Sequence, residues 1–367
     1  MKLDTALRVA APAHQTTRDR PLSFFEFWPD WMFYLPVVAH WLALGVRYGG
    51  FTLPTAANPT ITTGGLCGES KLEILDQVML PARDLLARYT SIVANGTEAD
   101  AEAGEAAMAA AGIAYPVIAK PDIGCNGTGV RLVRDLTGLL NYSKAFPRGE
   151  RLLLQEFVPD EGEAGIFYVR HPAEPVGRIT SITLKHAPVL IGDGRSTLGQ
   201  LVLADPRAGR VPHLYLPRLK ARLHEVPPQG ERVRLVFVGN HCKGSIFEDG
   251  THLVTPALTQ SFERIARAVP DFYFGRIDVR FASLPTLLRG EGFRIIEING
   301  AGSEATHVWD PRTRLLDAWR AQFFHYGAAF RIGAANRARG HQPSDVRTLY
   351  NLWQRQKRLM AAYPMND

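Results

Sequence analysis

Gly275-Arg276-Ile277-Asp278-Val279-Arg280-Phe281 and, a little further on, Phe293-Arg294-Ile295-Ile296-Glu297-Ile298-Asn299-Gly300-Ala301-Gly302-Ser303-Glu304-Ala305-Thr306-His307 carry the reading of this chain. Residues 276–281 and 293–299 are short, β-branched and apolar, the pattern of strands. Side chains at i and i+2 of a strand share a face, so Glu297 and Asn299 project together, with Asp278 beside them on the neighbouring strand. Two carboxylates and an amide oxygen make a hard, all-oxygen donor set for Mg2+, which keeps positions open for water and phosphate. The plainer alternative is a solvent-facing acid–amide pair. Ile295, Ile296 and Ile298 weigh against it, because they mark a strand apolar on both sides, where an unpaired Glu is costly.

Upstream lies Tyr115-Pro-Val-Ile-Ala-Lys120-Pro-Asp-Ile-Gly124-Cys-Asn-Gly127-Thr-Gly129-Val, a strand delivering a lysine to a glycine-rich hairpin tip. Backbone N–H groups without side chains around them can approach phosphate oxygens, and the lysine adds positive charge. A tight hairpin that needs glycine for positive φ explains the same residues equally simply. The spacing is neither that of G-x-x-x-x-G-K-[ST] nor that of G-x-G-x-x-G.

Further strands are expected at 151–158, 165–170, 178–185 and 232–239, and helices at 136–145 and 257–269. Apolar spacing from Leu72 to Leu86 predicts a helix over 69–89, and a second, Ala-rich helix runs over 98–111 up to Gly112. Phe24 to Val46 holds three of the six tryptophans; its uncharged part, Trp31 to Val46, is interrupted by Pro36 and is shorter than the roughly 20 apolar residues that span a bilayer. A buried helix pair is the expectation there, with a segment lying on a membrane as the alternative. Beyond Pro311 the chain reads as helical, ending in a basic, aromatic face. Strands in the middle and helices outside give an α+β protein, with boundaries expected at 1–88, 89–158, 159–310 and 311–367.

The 367 residues are 46% hydrophobic and 21% charged, as in soluble globular proteins, and the net charge is +6. That thin excess, without a basic stripe, suits anionic small molecules and excludes a nucleic-acid coat. Cys67, Cys125 and Cys242 form neither a disulfide framework nor a zinc pattern, so a reducing compartment is expected. The first 20 residues lack the long apolar stretch of a signal peptide, which points to a cytoplasmic location.

In these motifs and their order, from Gly64 to Pro311, the sequence resembles the ATP-grasp superfamily, particularly its D-alanine–D-alanine ligase and cyanophycin-synthetase-like branches. The resemblance implies two α+β lobes sandwiching ATP. Lys71, in Gly68-Glu-Ser-Lys71, and Lys120 look like the two phosphate-binding lysines, and Gly124, Gly127 and Gly129 the phosphate loop. Gln155, Glu156 and Val158 match the hinge that holds adenine, and Glu163 the acid that takes the ribose hydroxyls. Gly192-Asp-Gly-Arg195-Ser-Thr is similar to a stretch of the cyanophycin-synthetase-like branch, and Asn240 to an asparagine near its phosphates. Asp278, Glu297 and Asn299 match the site of two Mg2+ ions, for which Mn2+ can substitute, and Arg276 the arginine that acts on the transferring phosphoryl group. Ser303, Glu304 and His307 fall in the acceptor loop, where the dipeptide ligases carry Pro-Gly-Met. Only 70 residues precede Lys71, where family members place a Rossmann-like domain.

The resemblance implies an ADP-forming carboxylate–amine ligase that works through an acyl phosphate. A phosphotransferase and a non-catalytic nucleotide-binding module are the alternatives. The implied partners are small carboxylates and amines, with a lipid-like substrate or membrane contact through 24–46 and a homodimer as further expectations. Glu304 favours an amino-bearing acceptor. For the cysteines, small residues in tight loops are the simpler reading over redox control.

Overall fold

The computed structural model describes residues 22–236, 239 and 244–365. Asn240, His241 and Cys242 therefore lie outside the described residues, as does part of the strand expected at 232–239.

Two antiparallel sheets organise the chain. The smaller joins β1 (Tyr89–Ala94), β2 (Val117–Pro121), β3 (Arg131–Val133) and β4 (Glu150–Glu156) in the order β1-β4-β2-β3. Its apolar face, with Val117, Leu152 and Leu154, packs under α3 (Ala99–Ala110) and α4 (Leu136–Ala145) through Met108, Leu139 and Tyr142. The Asp135 side chain caps α4 by accepting from the Gly138 N–H at 2.7 Å. The larger sheet joins β5 (Gly162–Val169), β6 (Arg178–His186), β9 (Ile246–Asp249), β10 (Phe274–Phe281) and β11 (Phe293–Asn299) in the order β11-β10-β5-β6-β9. The amphipathic helix α7 (Pro256–Arg267) covers one face, its Leu258, Phe262 and Ile265 meeting Ile166, Ile277 and Val279.

The opposite face of the large sheet changes character along its strands. At one end Phe167, Val169 and Phe274 pack against Ala328, Ala329 and Ile332 of α9 (Leu315–Ala338). At the other end the same alternation brings out Glu163 on β5, Lys185 on β6 and Arg276, Asp278 and Arg280 on β10. Period-two geometry thus divides one sheet face into a half covered by a helix and a charged half that faces a cleft.

Between β6 and β9 the chain builds a small unit. It contains β7 (Val189–Ile191) paired with β8 (Arg232–Arg234), and helices α5 (Leu198–Ala204) and α6 (Pro212–Tyr215), around Leu198, Val202, Tyr215 and Val233. Of the strand expected at 232–239, only Arg232–Arg234 is strand; Leu235 and Val236 have left it, and residues 237 and 238 lie outside the described residues.

Three expectations are corrected. The helix expected over 69–89 is only α2 (Lys71–Asp76), followed after Pro81 by a short turn and then β1. Proline removes an N–H and disfavours helical geometry in the residue before it, so the apolar spacing could not propagate. The strand β1 is absent from the sequence reading, although Thr90, Ile92 and Val93 are strand formers; of its residues only Tyr89 falls within the expected helix. The buried helix pair of 24–46 is one continuous helix, α1 (Asp30–Tyr48), with Pro36 inside it. Only Phe33, Val37, Leu44 and Gly45 are buried, because α1 packs along one stripe, chiefly against α9, with Phe33 also meeting Phe25 and Trp309. No helix among the described residues is long and apolar enough to cross a membrane. The last helix, α10 (Val346–Ala362), runs over the glycine-rich loop, where Tyr363 donates to the Ile123 carbonyl at 2.7 Å.

Candidate active site

The cleft between the sheets has a volume of about 300 Å3 and receives side chains from both. β10 and β11 pair with Asp278 opposite Glu297 and Arg276 opposite Asn299, so register alone sets all four on one face. A bulge follows Asp278, the kind of local disruption that re-aims side chains beside a site. The Arg276 guanidinium donates to both Asp278 oxygens, at 2.9 and 3.1 Å, and the Lys185 ammonium stands 3.2 Å from Asp278 and 3.2 Å from Glu163. Arg280 closes the row at 3.4 Å from Glu163. Burial alone would raise the Asp278 pKa, but Arg276 and Lys185 outweigh it and hold the carboxyl down at about 2.

From the opposite side, Lys120 on β2 donates to Gln155 at 2.8 Å and crosses the cleft to the Ile296 carbonyl at 3.0 Å. Its burial pushes the ammonium down to about 8, against the pull of Glu297. Lys71 stands at the first turn of α2, behind the N-cap Ser70, and lies 3.6 Å from Glu297 while donating to the Gly124 carbonyl. Gly124, Gly127 and Gly129 all have positive φ, as does Asn126, so the loop between β2 and β3 does need glycine for its backbone. Glu69, two residues before Lys71, has its Oε2 buried and unpartnered, and burial raises its pKa; the Gln155 amide nitrogen is likewise buried without a partner.

These two orphaned polar atoms and the oxygens of Asp278, Glu297 and Asn299 test the cleft for a metal–nucleotide complex. The described residues hold no cluster of three His, Cys, Asp or Glu; the trio supplies two acids and an amide, leaving coordination positions free. Five cations lining the cleft, Lys71, Lys120, Lys185, Arg276 and Arg280, suit a polyanion. The residues present fit both groups.

Other residues singled out in the sequence stand as follows. Glu156 points to the other face of β4, where its carboxylate pairs with Arg88 at 2.8 Å; only its backbone is left for a ligand. The Val158 carbonyl accepts from Arg280 at 3.2 Å. Glu163 lines the cleft with both oxygens already facing cations. Ser303 turns back onto the Gly300 carbonyl, and His307 is not among the cleft-lining residues. The Glu304 carboxylate accepts from Tyr34 at 2.7 Å, Gln322 at 2.6 Å and Trp309 at 2.6 Å. All three donors are neutral, and no ion-pairing cation joins them among the described residues. Cys67 is pushed up to about 11 by burial and Cys125 is raised by the same cause, so both are thiols at neutral pH.

Sequence reading missed Lys185 and Arg280. A charge inside an apolar strand was the available signal, but its meaning depends on cross-strand register. It also missed Gln356 of α10, which accepts from the Gly68 N–H at 2.6 Å and lines the cleft.

Two antiparallel sheets close on one cleft, the smaller giving a lysine and a glycine-rich loop and the larger an acid–amide set, which is the arrangement that the resemblance to the ATP-grasp superfamily implies. No family model matches the chain. Among curated proteins it is similar to the glutathione biosynthesis bifunctional protein GshAB of Streptococcus agalactiae, 25% identical over 174 residues, covering 42% of this chain and 22% of the relative. The GshAB of Streptococcus thermophilus is 26% identical over 173 residues, with the same coverage. The chain thus spans well under half of the length of these relatives. Among solved structures it is similar to D-cycloserine synthetase DcsG (13% identity, 73% of this chain and 70% of that one, TM-score 0.40). It is also similar to the VanG D-Ala:D-Ser ligase from Enterococcus faecalis (11% identity, 72% and 64%, TM-score 0.40).

Proposed function

We propose that this protein is an ATP-dependent ligase that activates a carboxylate as an acyl phosphate and transfers the acyl group to an amine, releasing ADP and phosphate. One observation carries the reading: strand register sets Arg276, Asp278, Glu297 and Asn299 on one wall of a cleft, with Lys71 of α2 beside Glu297 and Lys120 reaching across from the small sheet. A carboxylate is a poor acyl donor because its leaving group would be oxide; after phosphorylation the leaving group is phosphate.

Phosphoryl transfer asks a protein chiefly for positioning and charge neutralisation. Lys71 and Lys120 supply charge to the phosphates, and the glycine-rich loop offers backbone N–H groups. Asp278, Glu297 and Asn299 would hold Mg2+, which when bound neutralises charge on the β- and γ-phosphates. Arg276 stabilises the transferring phosphoryl group and then the tetrahedral oxyanion, a role in which one lost donor costs about 3–4 kcal/mol. Closure over the cleft keeps water from the acyl phosphate. Glu304, a carboxylate held by neutral donors, suits an ammonium-bearing acceptor.

The test is an ADP-release screen of carboxylates crossed with amines, with product mass spectrometry. Phosphate release that requires both substrates supports the ligase, and release requiring the carboxylate alone contradicts it. Glu297→Gln and Arg276→Ala are expected to lower turnover by two to three orders of magnitude, on the order of a lost oxyanion donor, with unchanged circular dichroism. Wild-type turnover in either would overturn these roles.

A further inference from the structure

The outward face of α1 is built unlike the surface of a soluble helix. Trp31, Leu35, Val38, Leu42 and Val46 are exposed, Trp31 to 69% and Val46 to 75%. The other exposed residues between Trp31 and Val46 are Met32, Ala39 and Ala43, so nothing polar interrupts the face. At 100° per residue these eight cover an arc of about 140°, along about 24 Å of helix. Charge returns only at the ends, with Asp30 and Arg47. Aromatic rings extend the patch both ways: Phe24 is exposed at one end, and at the other the half-exposed Phe51 lies against Gly45.

From this surface we infer that α1 is a membrane-docking helix, seated in the plane of an anionic bilayer. This inference is independent of the ligase reading. Exposed apolar surface on this scale marks an interaction site. An in-plane helix needs an unbroken apolar arc, aromatic residues at the headgroup level and no length sufficient to span, and α1 has all three. The chain's net charge of +6, with Arg47 exposed beside the stripe, complements anionic lipid. A second copy of the chain fits less well. A strip about 24 Å long and about 10 Å wide, paired with itself, falls well short of the ~1,200 Å2 of a specific dimer. The position has a consequence for the cleft: Tyr34, on the same helix, donates to Glu304 in the acceptor loop. Docking would therefore bring that loop close to the lipid surface.

The experiment is co-sedimentation of the full chain with vesicles of equal parts phosphatidylglycerol and phosphatidylcholine, and with phosphatidylcholine alone. Binding to the anionic vesicles is expected, reduced at least about tenfold in Leu35→Glu/Leu42→Glu and weakened in Trp31→Ala, with melting temperatures close to wild type because all three positions are exposed. Three results would each overturn the inference: absence of vesicle binding; binding unchanged in both variants; or a dimer in light scattering that the double variant dissociates, which would assign the face to a second copy. A large fall in melting temperature in Trp31→Ala would also do so, by showing that the chain itself covers the face.

Discussion

At the scale of the residue, the site is a matter of which charges share a face. The Glu297–Asn299 pair was legible because strand parity places i and i+2 together whatever the tertiary fold. Lys185 was not, because its role follows from pairing with Glu163 across strands separated by a connection. The neutral cage of Glu304 was equally hidden, since Tyr34 and Gln322 come from helices far apart in the chain. His325 gives a prediction at this scale. It is fully buried between Phe167 and Phe274, with its Nε2 unpartnered, and burial lowers its pKa to about 3. The unfolded chain binds a proton near pH 6.5 and the folded one does not until about pH 3. The stability that His325 confers as a neutral ring is therefore complete above pH 6.5 and lost as pH falls below it, at about 1.4 kcal/mol per unit. Urea unfolding at pH 6.5 and pH 5 should show an excess loss of about 2 kcal/mol over a His325→Phe variant. Parallel slopes for the two proteins would contradict it.

At the scale of the element, strands and capped helices were read from sequence better than segments containing proline. Residues 293–299 and 136–145 fall where their alternation and the Asp135 cap place them. The long helix over 69–89 failed at Pro81, and α1 ran through Pro36, because local pattern does not say which proline a tertiary contact will override. The Gly64-Gly65 pair does more than turn the chain. Gly65 has φ +76° and meets the Gly300 backbone, while Ala301 and Gly302 donate to the Gly64 and Gly65 carbonyls at 2.9 and 2.6 Å. A Cβ on Gly300 would stand 2.3 Å from the Gly64 carbonyl oxygen. Gly300→Ala should therefore separate the two loops and destabilise the protein by about 1–3 kcal/mol, measured by chemical unfolding. A change within a few tenths of a kcal/mol would show that the crossing yields freely.

At the scale of the whole molecule, ligand and fold are coupled because the cleft belongs to neither lobe alone. Lys120 of the small sheet reaches the Ile296 carbonyl of the large one, beside Lys71 and Glu297, so a bound polyanion engages both sheets together. A ligand binding only the folded chain at 100 times its Kd stabilises it by about 2.7 kcal/mol, so Mg-ATP should raise the melting temperature by several degrees. The most direct test is a calorimetric titration of the wild-type chain and of Lys120→Met with ATP in the presence of Mg2+. One saturable site per chain is expected in the wild type, with affinity at least about tenfold weaker in the variant, which loses the Lys120 charge together with its hydrogen bonds to Gln155 and the Ile296 carbonyl. No heat from the wild type, or equal affinity in both proteins, would contradict the assignment of this cleft to ATP.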